Sequence, residues 1–131
     1  MADIKPGLKA VIERVVEERH TAAHMVSGSV SVLSTPSMIG FMEEASHRAV
    51  APCLPATQST VGTVVCIKHL AATPVGMTFR AEAELVEVDR RRLKFKVTAY
   101  DEKELIGEGE HERFIIDLDR FSSGLNKKTG K

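Results

Sequence analysis

The chain has 131 residues, the length of one domain whose core needs no disulfide or metal to fold. Lys and Arg number 18, as do Asp and Glu, so the chain lacks the cationic excess that strong non-specific nucleic-acid binding requires. No apolar run approaches the roughly 20 residues of a membrane helix, and neither an apolar signal segment nor a C-x-x-C motif occurs, which predicts a cytoplasmic protein with no nucleic-acid or membrane partner.

The first periodic segment, residues 8–19, fits two kinds of structure. Val11, Ile12, Val15 and Val16 have helical spacing, which favours a helix. The same valine-rich run would also suit a long strand. Residues 20–33 have no clear period and predict a loop with a short turn.

A helix is predicted from Thr35 onwards. Thr35 is the expected N-cap, and Pro36 fits the first turn because that turn needs no N–H from it. Pro52 and Pro55 end the helix. The helix carries one apolar stripe, formed by Met38, Phe41, Met42, Ala45 and Ala49.

Four strand-like segments follow, at residues 61–70, 77–88, 92–101 and 104–118, with short polar connections typical of hairpins. A helix followed by an antiparallel meander predicts an α+β fold in which one helix lies on a curved sheet. We expect a single domain over residues 1–121 and a frayed polar tail over residues 122–131.

Two adjacent glutamates in the helix are candidates for acid–base chemistry. Glu43 and Glu44 point about 100° apart, so one of them can face a cleft. A carboxylate beside apolar walls has a raised pKa, which suits a general base or nucleophile. Two solvated glutamates are the alternative, and periodicity alone favours it.

His69 ends the first strand of the meander, a common place for a reactive side chain. A core histidine with one backbone hydrogen bond is equally consistent with the pattern. Regular alternation places His69 on the face opposite Gly62 and Cys66, so Cys66 is predicted to be a small core residue and a Cys–His pair is disfavoured.

Three further patterns have ordinary structural explanations. His20 and His24 have the spacing of a metal pair, but no third ligand is evident, and we expect no metal and no cofactor. Gly107-x-Gly109 lies inside a strand and predicts close backbone approach or a bulge. The basic turn that includes Arg91 could meet the phosphates of coenzyme A, although a solvated turn is the simpler interpretation.

Three stretches together resemble hotdog-fold acyl-CoA thioesterases, in particular the fluoroacetyl-CoA thioesterase-like group. They are STPSMIGFMEEASHRAVAP, VGTVVCIKHLAATPVGMTFRAEAEL and DRRRLKFKVTAYDEKELIGEGEHERFIIDLDRF. The resemblance covers roughly residues 30–121. It implies a hotdog fold, with a long helix wrapped by an antiparallel sheet and a strand at residues 8–19. It also implies a homodimer or dimer of dimers with acyl-CoA sites at the subunit interface.

The resemblance also implies roles for particular residues. The family's catalytic threonine, glutamate and histidine fall on Thr35, Glu43 and His69. A glycine beside the bound acyl group falls on Gly62, and Met42 is expected to help shape the acyl pocket. Glu43 would attack the thioester or activate water, His69 would manage the proton, and Thr35 would orient Glu43.

The expected function is hydrolysis of a short-chain acyl-CoA to the free acid and coenzyme A. Fluoroacyl-specific members carry aromatic residues ahead of the threonine, whereas this chain has none before Phe41, so the resemblance does not extend to that specificity. The alternatives are a hotdog dehydratase or hydratase, and a non-catalytic acyl-CoA-binding module.

Overall fold

The computed structural model describes residues 3–130, so Met1, Ala2 and Lys131, at the ends of the predicted domain and tail, lie outside the described part. The strands are β1 (Lys9–Val15), β2 (Gln58–His69), β3 (Thr78–Asp89), β4 (Arg92–Asp101) and β5 (Leu105–Asp117). The helices are the single turn α1 (Ala22–Met25), the long α2 (Thr35–Val50) and the C-terminal α3 (Leu118–Thr129), with 3-10 turns at Glu18–His20 and Ala51–Cys53.

The five strands form one antiparallel sheet in the order β1-β3-β4-β5-β2, and α2 packs across one face of it. The core lies between helix and sheet, where Met38 and Met42 of α2 meet Phe79, Leu85 and Phe95, each at most 1% exposed. The predicted α+β architecture is confirmed, and it is the arrangement that the hotdog resemblance implies.

Residues 9–15 form a strand, so the helix predicted from their spacing is wrong and the strand implied by the resemblance is confirmed there. β1 pairs with β3 along its whole length. Ile12 is 3% exposed while Val11 is 58% exposed, the alternation of a strand. Tertiary pairing has therefore overridden an ambiguous local preference.

The N-cap of α2 is Ser34, not Thr35. The Ser34 Oγ accepts the Ser37 N–H at 3.1 Å, and Thr35 is the first residue of the helix. The sequence prediction of the cap is therefore wrong by one residue. Because Ser34 satisfies the free N–H groups of the first turn, the Thr35 hydroxyl is available for another partner.

A β-bulge in β2 changes which side chains face the helix. The pairing with β5 shifts between Gly62 and Val64, so Thr63 is the extra residue. Gly62 contacts α2, and His69 also lies on the helix-facing side, where it reaches the start of α2. The expectation from regular alternation, that these two residues face opposite ways, is therefore wrong.

The segment before α2 and the C-terminus are more ordered than the sequence predicts. The predicted loop at residues 20–33 contains α1, which is capped by Thr21. The tail residues 122–129 belong to α3, a helix with exposed side chains, lysines in its last turn and Gly130 as its left-handed cap. No helix within residues 3–130 is long and apolar enough to cross a membrane.

Candidate active site

Thr35 and His69 meet where α2 begins and β2 ends. The Thr35 Oγ1 lies 2.7 Å from the His69 Nδ1, a short hydrogen bond between two side chains far apart in sequence. Both side chains are carried by regular elements, so their geometry does not depend on a loop. Close packing supports this corner, because a Cβ on Gly107, the residue paired with His69, would lie only 2.6 Å from the Met38 sulfur.

The surroundings of the His69 imidazole favour its neutral form. Burial lowers the pKa of His69, and an interaction with the Ala71 backbone offsets this shift only in part. Its Nε2 is buried and has no hydrogen-bond partner among residues 3–130. A neutral ring beside a hydroxyl can accept a proton from it or from a water held there.

The Thr35–His69 pair opens into a groove of about 380 Å³. The loop before α2 supplies one wall of the groove, and the residues that follow His69 supply the other. The remaining lining residues are mostly small or apolar: Ala22, Ser27, Val32, Leu33, Ser34, Leu70, Ala71 and Ala72. A groove of this size and polarity suits a small acyl group beside one polar pair.

Of the two adjacent glutamates, Glu43 faces the sheet. A Cβ on Gly62 would lie 2.9 Å from the Glu43 Oε2, so the missing side chain leaves room for the carboxylate. Glu44 instead accepts a hydrogen bond from Arg14 at 2.7 Å and forms an ion pair with Arg48 at 2.6 Å, which ties it to β1 and to its own helix. The two carboxylates therefore have separate surroundings.

A buried arginine lies beside Glu43. The side chain of Arg113 is 9% exposed, and its Nη1 lies 3.8 Å from the Glu43 Oε2. Arg113 donates to Thr60 twice, from Nε to Oγ1 and from Nη2 to the carbonyl, each at 2.9 Å. Its Nη1 also lies 3.1 Å from the Nε2 of His111. Sequence reasoning gave no role to Arg113 or His111, although strand alternation places both on one face of β5.

Within one chain, Glu43 and the Thr35–His69 pair are separate. Two turns of α2 lie between Thr35 and Glu43, about 12 Å along the helix axis. The groove beside Thr35 is not lined by Glu43. The single chain therefore carries two separate groups of candidate residues, and Thr35 hydrogen-bonds to His69 and not to Glu43.

The remaining predicted binding residues lie in different places. Gly62 contacts Glu43, whereas Met42 is 1% exposed and belongs to the core beneath α2. Arg91 lies in the turn between β3 and β4, close to the C-terminal end of β5, where its Nη2 pairs with Asp117 at 3.2 Å. Arg91 also lines an open cavity of about 530 Å³ next to Phe114.

Three other sequence interpretations can be compared with the structure. Cys66 is exposed, so its assignment to the core is wrong. The close backbone approach predicted at Gly107-x-Gly109 is confirmed at Gly109, where a Cβ would collide with the Cys66 carbonyl oxygen. His20 is buried, and its Nδ1 accepts the Glu17 N–H at 3.0 Å, while His24 is exposed. Residues 3–130 contain no cluster of three potential metal ligands.

Comparison with known proteins supports the same fold and identifies the family. A profile of the family described as FlK, fluoroacetyl-CoA-specific thioesterase, matches residues 16–119. The fluoroacetyl-CoA thioesterase of Streptantibioticus cattleyicolor is 44% identical over 132 aligned positions, covering 96% of this chain and 95% of that relative. A solved structure of the fluoroacetyl-CoA thioesterase FlK superposes with a TM-score of 0.91 at 35% identity, covering 97% of this chain and 98% of FlK.

More distant structures share the architecture. A Thermus thermophilus hypothetical protein described as a thioesterase superfamily member has a TM-score of 0.91 at 30% identity, covering 99% of this chain and 96% of its own. A hot-dog-like protein from Thermanaerovibrio acidaminovorans, at 17% identity and a TM-score of 0.88, shows the fold alone. Because the family profile spans most of the chain and a 44% identical relative covers nearly all of it, the chain has the hotdog fold and belongs to the fluoroacetyl-CoA-specific thioesterase family.

Proposed function

We propose that this protein hydrolyses short-chain acyl-CoA thioesters at a site formed by Thr35 and His69 of one chain and Glu43 of a second copy. Its class as a thioester hydrolase follows from family membership. The observation that carries the assignment of the site is the 2.7 Å contact between Thr35 and His69 at the mouth of a small groove. Related FlK structures have been solved with acetyl-CoA and with fluoroacetate, which supports an acyl-CoA substrate.

The reaction requires that a proton leave the attacking oxygen. Glu43 of the second copy accepts a hydrogen bond from the attacking water and the Thr35 hydroxyl helps to hold it. The neutral His69 accepts the other proton of that water, whose oxygen forms a bond to the thioester carbonyl carbon. The carbonyl oxygen becomes an oxyanion, and the carbon–sulfur bond then breaks. The thiolate of coenzyme A takes the proton from His69, so the products are the free acid and the thiol.

A second copy of the chain is required to bring Glu43 to this reaction. β2 is one of the two edge strands of the sheet, and Val64 and Val65 near its middle are 45% and 46% exposed. A long exposed edge strand with apolar side chains tends to pair with another strand. Antiparallel pairing of β2 with its copy would form a two-fold dimer with a continuous sheet.

The register of that pairing follows from where Glu43 and the Thr35–His69 pair lie along β2. Gly62 marks the level of Glu43 on β2, and His69 marks the level of Thr35. A two-fold axis near Val65 would place Gly62 of each chain opposite His69 of the other. Each Glu43 would then approach the Thr35–His69 pair of the other copy, completing two equivalent sites.

A mixing experiment tests whether the site is shared between chains. Neither Thr35→Ala nor Glu43→Ala homodimers are expected to be active, but a heterodimer of the two variants contains one intact site if the site is composite. Random mixing should restore about a quarter of wild-type activity, because half the dimers are mixed and half their sites are intact. No restoration in a mixture with proven subunit exchange would contradict the proposal.

The reaction itself is tested with a panel of acyl-CoAs and a thiol-detecting dye, read as relative kcat/KM. Short acyl chains should release free thiol, and Glu43→Gln and His69→Gln should reduce the rate without unfolding the protein. Alkene absorbance without thiol release would indicate a dehydratase, and tight binding without turnover would indicate a binding module. The panel should include acetyl-CoA and fluoroacetyl-CoA, because no aromatic residue precedes Phe41 along the segment that walls the groove.

Arg91 is proposed to help bind the phosphates of coenzyme A. Its pairing with Asp117 already balances part of its charge, whereas the neighbouring Arg90 side chain is 91% exposed and contacts only Asp89 among its described ion-pair partners, at 3.3 Å. Double replacement Arg90→Gln and Arg91→Gln should therefore raise KM for acyl-CoA more than for the corresponding acyl-pantetheine, which lacks the nucleotide phosphates.

A further inference from the structure

Hydrogen bonds of the buried His111 side chain link the edge strand β2 to Arg113. The His111 Nδ1 lies 2.8 Å from the Val64 carbonyl oxygen, and its Nε2 lies 3.1 Å from the Arg113 Nη1. His111 is 1% exposed and the Arg113 side chain is 9% exposed, so water has little access to either side chain. The ring of His111 also stacks near Phe95, with centroids 6.4 Å apart, which restricts its orientation.

These contacts determine the tautomer of His111. A carbonyl oxygen can only accept, so the hydrogen in the contact with Val64 must be on Nδ1. A guanidinium group can only donate, so the Nε2 that meets Arg113 must carry a lone pair. Burial lowers the pKa of His111, as does the positive charge of Arg113, and both effects favour the neutral ring that this pattern requires.

The three nitrogens of Arg113 are each engaged. Nε and Nη2 donate to Thr60, and Nη1 donates to His111. All three acceptors are neutral, so they fix the plane of the guanidinium without balancing its charge. Glu43, at 3.8 Å from Nη1, is the carboxylate paired with Arg113 among the described residues.

We propose that His111 is a positioning residue, whose neutral Nδ1–H tautomer fixes Arg113 so that Arg113 holds the Glu43 carboxylate against Gly62. His111 would act through Arg113 and would not touch the substrate. This inference rests on the proposed function of Glu43, but the arrangement of the three side chains can be tested without activity.

The first test replaces the ring in two ways. His111→Phe keeps a similar volume and removes the acceptor, whereas His111→Gln can place an amide oxygen near the position of Nε2. We expect His111→Phe to lower kcat by about 10²-fold with little change in KM, because misplacement of a reacting group by about 1 Å costs that much. His111→Gln should recover most of kcat. His20→Phe, at another buried histidine without contact to Glu43, controls for general destabilisation.

A double-mutant cycle tests whether the effect passes through Glu43. His111→Phe should cost little further activity in a Glu43→Gln background, because both changes would disrupt the same interaction. A full additional loss in that background, or an equal loss in His111→Gln and His111→Phe, would overturn the proposal.

Nuclear magnetic resonance supplies a readout that remains if the protein proves inactive towards acyl-CoA. Nitrogen-15 spectra of the full chain should show the His111 Nε2 without a proton at neutral pH. The Arg113 guanidinium N–H groups should exchange slowly in the wild type and in His111→Gln, and faster in His111→Phe. A protonated Nε2, or unchanged Arg113 exchange in His111→Phe, would overturn the proposal whatever the enzyme does.

Discussion

At the scale of single residues, the site depends on which polar group already has a partner. Ser34 caps α2 and leaves the Thr35 hydroxyl for His69. Glu44 is held by two arginines, which leaves Glu43 as the glutamate of the pair that faces Gly62. Ser34 and Glu44 each make a structural contact, so the Thr35 hydroxyl and the Glu43 carboxylate remain available for the proposed reaction.

The lowered pKa of His69 predicts the acid limb of the pH–rate profile. Protonation removes the ability of His69 to accept a proton, so activity falls as the pH falls through its pKa. Because burial lowers that pKa, the midpoint of log kcat/KM should lie below the ordinary histidine value of about 6.5. His69→Ala should lower kcat/KM by about 10²–10⁴-fold and abolish this limb. A limb that persists in His69→Ala would assign the titration to another group.

Gly62→Ala should displace the Glu43 carboxylate. The new Cβ would meet Oε2 at 2.9 Å, closer than ordinary contact, so the flexible carboxylate must move and kcat should fall by about 10-fold to 10²-fold. Gly124→Ala is the matched control, since a Cβ at that position in α3 meets nothing within 4 Å. The control should keep full activity and gain up to about 1 kcal/mol of stability. Equal activity in the two variants would show that the contact at Gly62 is unimportant.

At the scale of elements, two adjacent residues at the start of α2 have different roles, Ser34 as the N-cap and Thr35 as a proposed catalytic residue. Ser34→Ala should lower the free energy of unfolding by about 1 kcal/mol because the Ser37 N–H loses its acceptor, and Ser34→Asp should retain the cap. Thr35→Val should instead leave stability nearly unchanged and remove activity, because its hydroxyl contacts His69. Urea unfolding and acyl-CoA assays on the three variants measure both effects. A larger loss of stability from Thr35→Val than from Ser34→Ala would indicate that Thr35, and not Ser34, is the N-cap of α2.

At the scale of the whole molecule, four histidines shift the pH dependence of stability in the same direction. His20, His47, His69 and His111 all have a lowered pKa, with burial the largest cause for each. Unfolded histidines titrate near about pH 6.5, so below that pH the unfolded chain binds more protons than the folded one. The stabilisation is therefore fully present above about pH 6.5 and is lost as the pH falls through the folded pKa values.

Urea unfolding measured at about pH 7.5 and about pH 5 should show this loss of stability before most carboxylates titrate. Replacing His20, which lies outside the proposed site, by Gln should reduce the difference between the two pH values. A free energy of unfolding that stays constant over this range would show that burial does not shift these groups in solution.

The hydrophobic period of the sequence predicts the apolar stripe of α2 and the four strands of the meander. It does so because the helix and the sheet each bury one face against the other. β1 could not be assigned from residues 8–19 alone, since what decides its structure is pairing with β3, a distant strand. Arg113 and His111 were missed because a buried arginine has no local signature, and its partners come from β2, β5 and α2. The sequence did not predict the exposure of Cys66, because the burial of a strand residue depends on which element packs against its face of the sheet.

The bulge at Thr63 has a consequence for the tolerance of β2 to change in length. Gly62 and His69 are separated by an odd number of positions, yet both face α2, which is possible only because one residue is unpaired between them. Deleting Thr63 would remove the bulge and leave Gly62 and His69 an even number of positions apart, so both would still face α2 in a regular ladder. The segment between Gly62 and His69 can therefore lose one residue together with the bulge, whereas a one-residue insertion would need a second bulge to keep both residues facing α2.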